Sequence, residues 1–314
     1  MARVFFSCEI MLLFIEQILN GLQLGIMLFL MSAGLTLVFG IMQVINLAHG
    51  SFYMIGAYVG ATVTARTGSF LLGLLAALPA AALVGMAVEV LVLRRLYKKD
   101  HLDQVLATFG MIMFFNELTR MVWGRQPLFM NVPDWLSGSL ELLPGVPYPS
   151  YRLAVIAVGI AVAVLLYLLF TRTRIGMQIR AGASDRETAG ALGVNIRLLY
   201  TLVFGLGTLL AGLAGVMAGP ILAVEAGMGE SILILTFVVI VIGGIGSIRG
   251  AFVGALLVGL VDTLGRGFLP VLLRLLLSPA YADGAAASLA SMSVYLLMAV
   301  ILVWRPQGIL PAHG

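Results

Sequence analysis

The chain lacks most of what an enzyme uses for chemistry. Cys8 is its one cysteine, so neither a disulfide framework nor a thiolate metal site can be built. His49, His101 and His313 lie far apart, and no HExxH motif or Cys/His cluster occurs, so no metal ligand set is assigned. The lysines are Lys98 and Lys99, and neither follows a glycine-rich turn. Without a GxxxxGK[ST] loop there is no cradle for nucleotide phosphates. Charge is scarce as well: 10% of residues are Asp, Glu, Lys or Arg, against about 25% in soluble domains.

Apolar residues fill the gap, at 61% of the chain with a mean hydropathy of +1.10. Runs close to bilayer length recur at 11–45, 51–65, 70–93, 104–123, 151–171, 198–222, 231–248, 251–270 and 289–304. This predicts an all-α, polytopic transmembrane helical bundle of about 8–10 segments, some broken or short. The whole of 1–314 is expected to be one transmembrane domain. The chain has 37 glycines, and a series such as Gly205, Gly207, Gly212, Gly215 and Gly219 suits close helix packing in lipid. Arg3 before an apolar run superficially resembles a signal peptide, but no small-residue cleavage site follows, so a first span is expected instead. Met11 opens an alternative start.

Basic residues set the expected topology. Arg94, Arg95, Lys98 and Lys99 form one cluster, and the stretch from Arg172 to Arg197 forms another, two spans later. Arg249 and Arg305 follow at further intervals of two spans, so all four markers fall on one side, the cytoplasmic side by the positive-inside rule. The segment 124–150, with Pro127, Pro133, Pro144, Pro147, Pro149, Trp135 and Tyr148, is then external. Membrane orientation accounts for the net charge of +4 without a nucleic-acid partner.

The 172–197 island carries five of the sixteen arginines. Within it, Ser184 is read as an N-cap and Glu187, three residues on, as its capping-box partner. Asp185 and Glu187 suit the first turn of a helix, and Gly193 its left-handed stop. A helix of about two turns is too short to stand alone in water and must dock on something. Ala189 and Leu192 are the expected apolar contact patch.

Two places break the helical pattern, Asn46 to Tyr58 and Gly243 to Ala255. His-Gly-Ser-Phe at 49–52 and Arg-Gly-Ala-Phe at 249–252 match loosely, which raises an internal repeat and a path between its halves, parallel or inverted. Asn46, His49, Gly50, Tyr53, Gly246 and Arg249 are therefore the candidate translocation-path residues. Glu16, Glu89, Glu117 and Asp262 are the acidic residues set in apolar stretches. Glu117–Arg120, Asp262–Arg266 and Glu89 beside Arg94 read as local ion pairs. His49 has no local acidic partner.

INLAHGSFYMIGAY, ASDRETAGALGVNI, AGLAGVMAGP, GGIGSIRGAFVGA and the terminal RPQG together resemble a permease subunit of the high-affinity branched-chain amino acid ABC importers, the H-type subunit in particular. The resemblance spans Met11 to Gly308. Glu187, Ala189 and Gly193 match the E-x-A-x-x-x-G skeleton of the family's ATPase-coupling motif, with Thr188 replacing the middle alanine. It implies a type II importer-like permease in a bacterial inner membrane, paired with a second permease. It further implies two cytoplasmic ATPase subunits holding ATP and Mg, and an external binding protein. The alternatives are a permease for urea or short amides, an ion-coupled secondary transporter using Glu89 or Asp262, and an intramembrane enzyme using His49.

Overall fold

In the computed structural model, residues 2–44, 46–97, 99–143, 146–275 and 277–311 are described; Lys98, Pro144 and His313 lie outside them. A long first helix, α1 (Ala2–Met42), is followed after a break by α2 (His49–Thr67). Helix α3 (Phe70–Val88) runs through a π-helical turn, Glu89–Leu93, into the short α4 (Arg94–Leu96), and α5 (His101–Trp123) returns. An antiparallel hairpin, β1 (Ser139–Leu143) and β2 (Val146–Pro149), leads into α6 (Ser150–Arg172). Two short helices follow, α7 (Arg174–Ser184) and α8 (Arg186–Ala191). The bundle closes with α9 (Ile196–Ala218), α10 (Met228–Gly243), α11 (Ile248–Leu273) and α12 (Pro279–Trp304).

Seven helices among the described residues are long and apolar enough to cross a bilayer. Helices α2 and α10 complete the bundle, in line with the expected number of segments. Helices α1 and α9 form its centre, and most of their surface is covered by neighbours. The glycine series of α9 permits this. Gly212 lies on the backbone of Gly56, and Gly215 on that of Tyr53.

The two ends of the bundle differ in kind. At one end Arg94 reaches Thr201, Tyr97 meets Tyr200 edge-on at 5.4 Å, and the Tyr200 hydroxyl donates to the Ile41 carbonyl at 3.4 Å. At the other, Tyr148 of the hairpin donates to Asn20, Trp123 donates to Thr62, and Leu128 bridges to Val224. Following the chain back and forth places Arg94, Arg95, the 172–197 island, Arg249 and Arg305 at the first end, called here the basic end. The hairpin lies at the opposite end.

Glu89 shows how local geometry anchors the basic end. A π turn carries its hydrogen bond from i to i+5, and the Arg94 N–H is bonded to the Glu89 carbonyl in this way. The same turn brings residues five apart onto one face. Arg94 therefore meets the fully buried Glu89 carboxylate at 2.9 Å. Tyr97 donates to it at 2.7 Å and Thr201 at 2.7 Å, tying α3 to α9. Asp262 is likewise engaged, by Arg266 at 2.8 Å, and Glu117 by Arg120.

Candidate functional site

The island at the basic end folds as two helices, and its caps differ from those expected. Thr173 opens α7, its side chain accepting from the Gly176 N–H at 3.0 Å. Ser184 is the last residue of α7 and does not cap α8. Capping needs an extended backbone, and that belongs to Asp185, at φ −151° and ψ 104°. Asp185 Oδ1 accepts from the Glu187 and Thr188 N–H groups at 2.9 and 3.1 Å, while its own N–H closes α7 on the Ala181 carbonyl. Glu187 thus sits one position earlier than a Ser184–Glu187 box requires. Thr188 takes the third position instead, its hydroxyl donating to Asp185 Oδ2 at 2.5 Å and not reaching back to the Asp185 N–H. That hydroxyl, with the Thr188 and Glu187 N–H groups, holds the Asp185 carboxyl below the usual carboxylate range. The ionised cap persists at neutral pH and is lost only as pH falls through this lowered value.

The stop is as expected. Gly193 has φ +91°, its N–H bonds the Gly190 carbonyl at 3.0 Å, and the Val194 N–H bonds the Ala189 carbonyl at 3.1 Å. These are the two bonds of a Schellman motif. The expected contact patch divides. Ala189 is 3% exposed, turned inward, and so is unavailable to a partner; Leu192 is 81% exposed. Arg186, Glu187 and Thr188 share the exposed side with Leu192.

The six candidate path residues also separate. Asn46, His49, Gly50 and Tyr53 are buried where α2 begins. Asn46 Oδ1 accepts from the Ala48 N–H at 3.1 Å, but Asn46 Nδ2 finds no protein partner, and the His49 ring, which faces the Met31 backbone, makes no hydrogen bond of good geometry. Gly50 packs backbone to backbone on Gly229, at the start of α10. Gly246 and Arg249 instead border a cavity of about 1180 Å³ at the basic end, between α1, α6, α7, α11 and the chain's last residues. Gly250 packs on Gly243, at the far end of α10. Gly229 and Gly243 stand fourteen helical steps apart, roughly 21 Å. The two related tetrapeptides therefore begin helices at opposite ends of α10, and both helices, α2 and α11, run from there toward the hairpin end. The cavity itself escaped the sequence, because its walls come from four separate segments spread between Phe29 and Pro311.

A model of the family described as branched-chain amino acid transport system / permease component matches residues 17–304. The chain belongs to this family. It is a transport permease, not an enzyme, and a multi-pass protein of the inner membrane. It is 32% identical to the high-affinity branched-chain amino acid transport system permease protein LivH of Salmonella typhimurium, over 96% of this chain and 97% of that one. To the corresponding permease protein BraD of Pseudomonas aeruginosa it is 30% identical, over 95% of each chain. The ribose import permease protein RbsC of Escherichia coli is more distant, at 28% over 79% of this chain and 77% of its own. No solved structure matches the chain.

Proposed function

We propose that this chain is the membrane-spanning permease of an ATP-driven importer of branched-chain amino acids. It works beside a second permease, with two ATPase subunits docked on its basic end in the cytoplasm and a binding protein delivering solute at the hairpin end. The island 172–197 is then the cytoplasmic coupling segment and 124–150 the external loop of a single transmembrane domain. The observation that carries this is α8. It is fixed at both ends by caps, seated on its own chain through Ala189, and presents the exposed Leu192 outward at the basic end. A short helix held so firmly with an exposed leucine is suited to transmit motion from a soluble partner. Ser184 and Asp185 link it to α7, so movement of α8 reaches the bundle. The path runs past Asn46, His49, Gly50 and Tyr53, which form its closed part. Ion coupling through Glu89 or Asp262 is disfavoured, since both carboxylates are already held by arginines.

Leu192→Asp tests the coupling. Uptake of labelled leucine, isoleucine and valine by the reconstituted complex should be lost, and copurification of the ATPase reduced, with membrane insertion unchanged. Ala189→Glu is the harsher change, because it drives a charge into the seat of α8 and unsettles the helix itself. Normal uptake and ATPase association in Leu192→Asp would reduce α8 to a connector. Labelled urea in the same assay separates the amide-permease alternative.

A further inference from the structure

The cavity at the basic end has a composition unlike the rest of the bundle. It contains Arg180 and Arg249 and no Asp or Glu. Among the described residues the ion pairs use other arginines, and neither of these two has a carboxylate within reach. Arg249 lies over the Tyr167 ring at 5.6 Å, spanning from α11 to α6. Such stacking leaves the guanidinium N–H edge open to an acceptor. In the same wall, the hydroxyl of Thr36 is buried and has no partner. The remaining walls are largely apolar side chains of α1, α6 and α11.

Size and lining narrow the ligand. At about 1180 Å³ the space exceeds the roughly 300–1,000 Å³ that holds a drug-sized molecule. Helix α7 lies over it with Ile179 buried, while Ile175 and Met177 are exposed alongside Arg174 and Arg180. Exposed apolar groups interleaved with arginine mark a helix lying in the membrane interface. One unpaired cation on such a helix, Arg180, and a second on α11, Arg249, lining the same cavity beside an apolar wall, fit an anionic amphiphile.

We infer that this cavity binds an anionic phospholipid, its phosphate between Arg180 and Arg249 and its acyl chains along the apolar walls. A zwitterionic lipid would bring its own cation against the two arginines. A soluble phosphate ester would leave the apolar wall uncovered. The site does not depend on which solute is transported. A lipid there joins α7, and through it α8, to α11.

The test uses the complete transporter in mild detergent, with bound lipid identified by mass spectrometry after extraction. Phosphatidylglycerol should stay with the unmodified complex through washing that strips phosphatidylethanolamine. Arg180→Gln combined with Arg249→Gln should lower its retention about 30-fold, the effect of two basic residues near a membrane surface. Arg180→Lys with Arg249→Lys should keep most of it. Thermal unfolding of the delipidated, unmodified complex needs no variant. It should shift upward with phosphatidylglycerol, but not with phosphatidylcholine of the same chains or with glycerol phosphate. Equal retention by the glutamine pair, or stabilisation by glycerol phosphate alone, would overturn the proposal. So would a Val253→Cys thiol, in a Cys8→Ser background, that the second permease shields from maleimide in the lipid-free complex; a thiol shielded only after phosphatidylglycerol is added supports it.

Discussion

The two breaks in the bundle carry related tetrapeptides but are built in opposite ways. The second, Gly244–Ser247, is fully provided for. Gly244 and Gly246 take its positive φ angles, and Ser247 caps α11 by accepting from the Gly250 N–H at 3.0 Å. The chain's end then clamps it, with Ile309 and Leu310 donating to the carbonyls of Ile242 and Gly243 at 2.9 and 3.0 Å. The first break, between α1 and α2, has less of this among its described residues, where the side-chain bond is Asn46 Oδ1 accepting from the Ala48 N–H. Gln43 holds a positive φ of 55° without being glycine, and Ala48 stands where a capping side chain belongs. Asn46 and His49 leave buried polar atoms without a hydrogen bond of good geometry. One break is an anchor. The other stores strain and desolvation inside the protein, which persists only where surrounding structure enforces it and which marks segments that rearrange. The contrast predicts movement at the first break and support at the second.

The largest effect should come from the glycines that seat both breaks on α10. A Cβ at Gly50 would land on the backbone of Gly229, and one at Gly250 on the backbone of Gly243. Backbone atoms cannot rotate aside, so a helix must shift, and overpacking of this kind costs about 1–3 kcal/mol. Gly250→Ala is expected to destabilise the purified protein by the upper end of that range. Gly50→Ala should cost less, because its break can yield while the clamped one cannot. Equal losses in melting temperature would erase the distinction between anchor and moving part.

How much of this was legible in the sequence depends on how local the cause is. The helical membrane class follows from composition, and the single basic end from arginine spacing, because both are sums over many residues. The stop at Gly193 was legible too, since a left-handed residue after a short helix is a local demand. Ser184 and Asp185 are both good capping residues, and the choice between them fell to Asp185 because α7 runs on through Ser184. Helix α7 did leave a signal, Thr173 ahead of Ile175 and Ile179 four apart, which the charge of the island obscured. The inward turn of Ala189 was not legible, because a helix of six residues takes its facing from the neighbours it rests on.

His49 offers a sharper test of the contrast. A buried polar group without a partner costs about 1–3 kcal/mol, and replacing it by an apolar group removes that cost. His49→Leu is therefore expected to stabilise the protein by about 2 kcal/mol while uptake falls, a combination that a merely structural histidine would not give. Thermal unfolding and uptake measured on the same preparation decide it. A destabilised His49→Leu protein would mean that its ring is satisfied, by water for example, and that the first break is no reservoir of strain.

The smallest effects come from the break backbones themselves. Ser247→Ala removes the cap of α11, a loss of about 1 kcal/mol. At the first break the sign should reverse. A left-handed conformation costs a non-glycine residue about 1–2 kcal/mol, and glycine gives back some 0.5–1 kcal/mol through its greater freedom when unfolded. Gln43→Gly is thus expected to gain roughly 0.5 kcal/mol of stability, the difference between these two terms. Chemical unfolding of the two variants side by side should show shifts in opposite directions. Gln43→Gly shifting the same way as Ser247→Ala would mean that the first break is held as comfortably as the second, and that its open polar atoms, not its backbone, carry whatever strain it has.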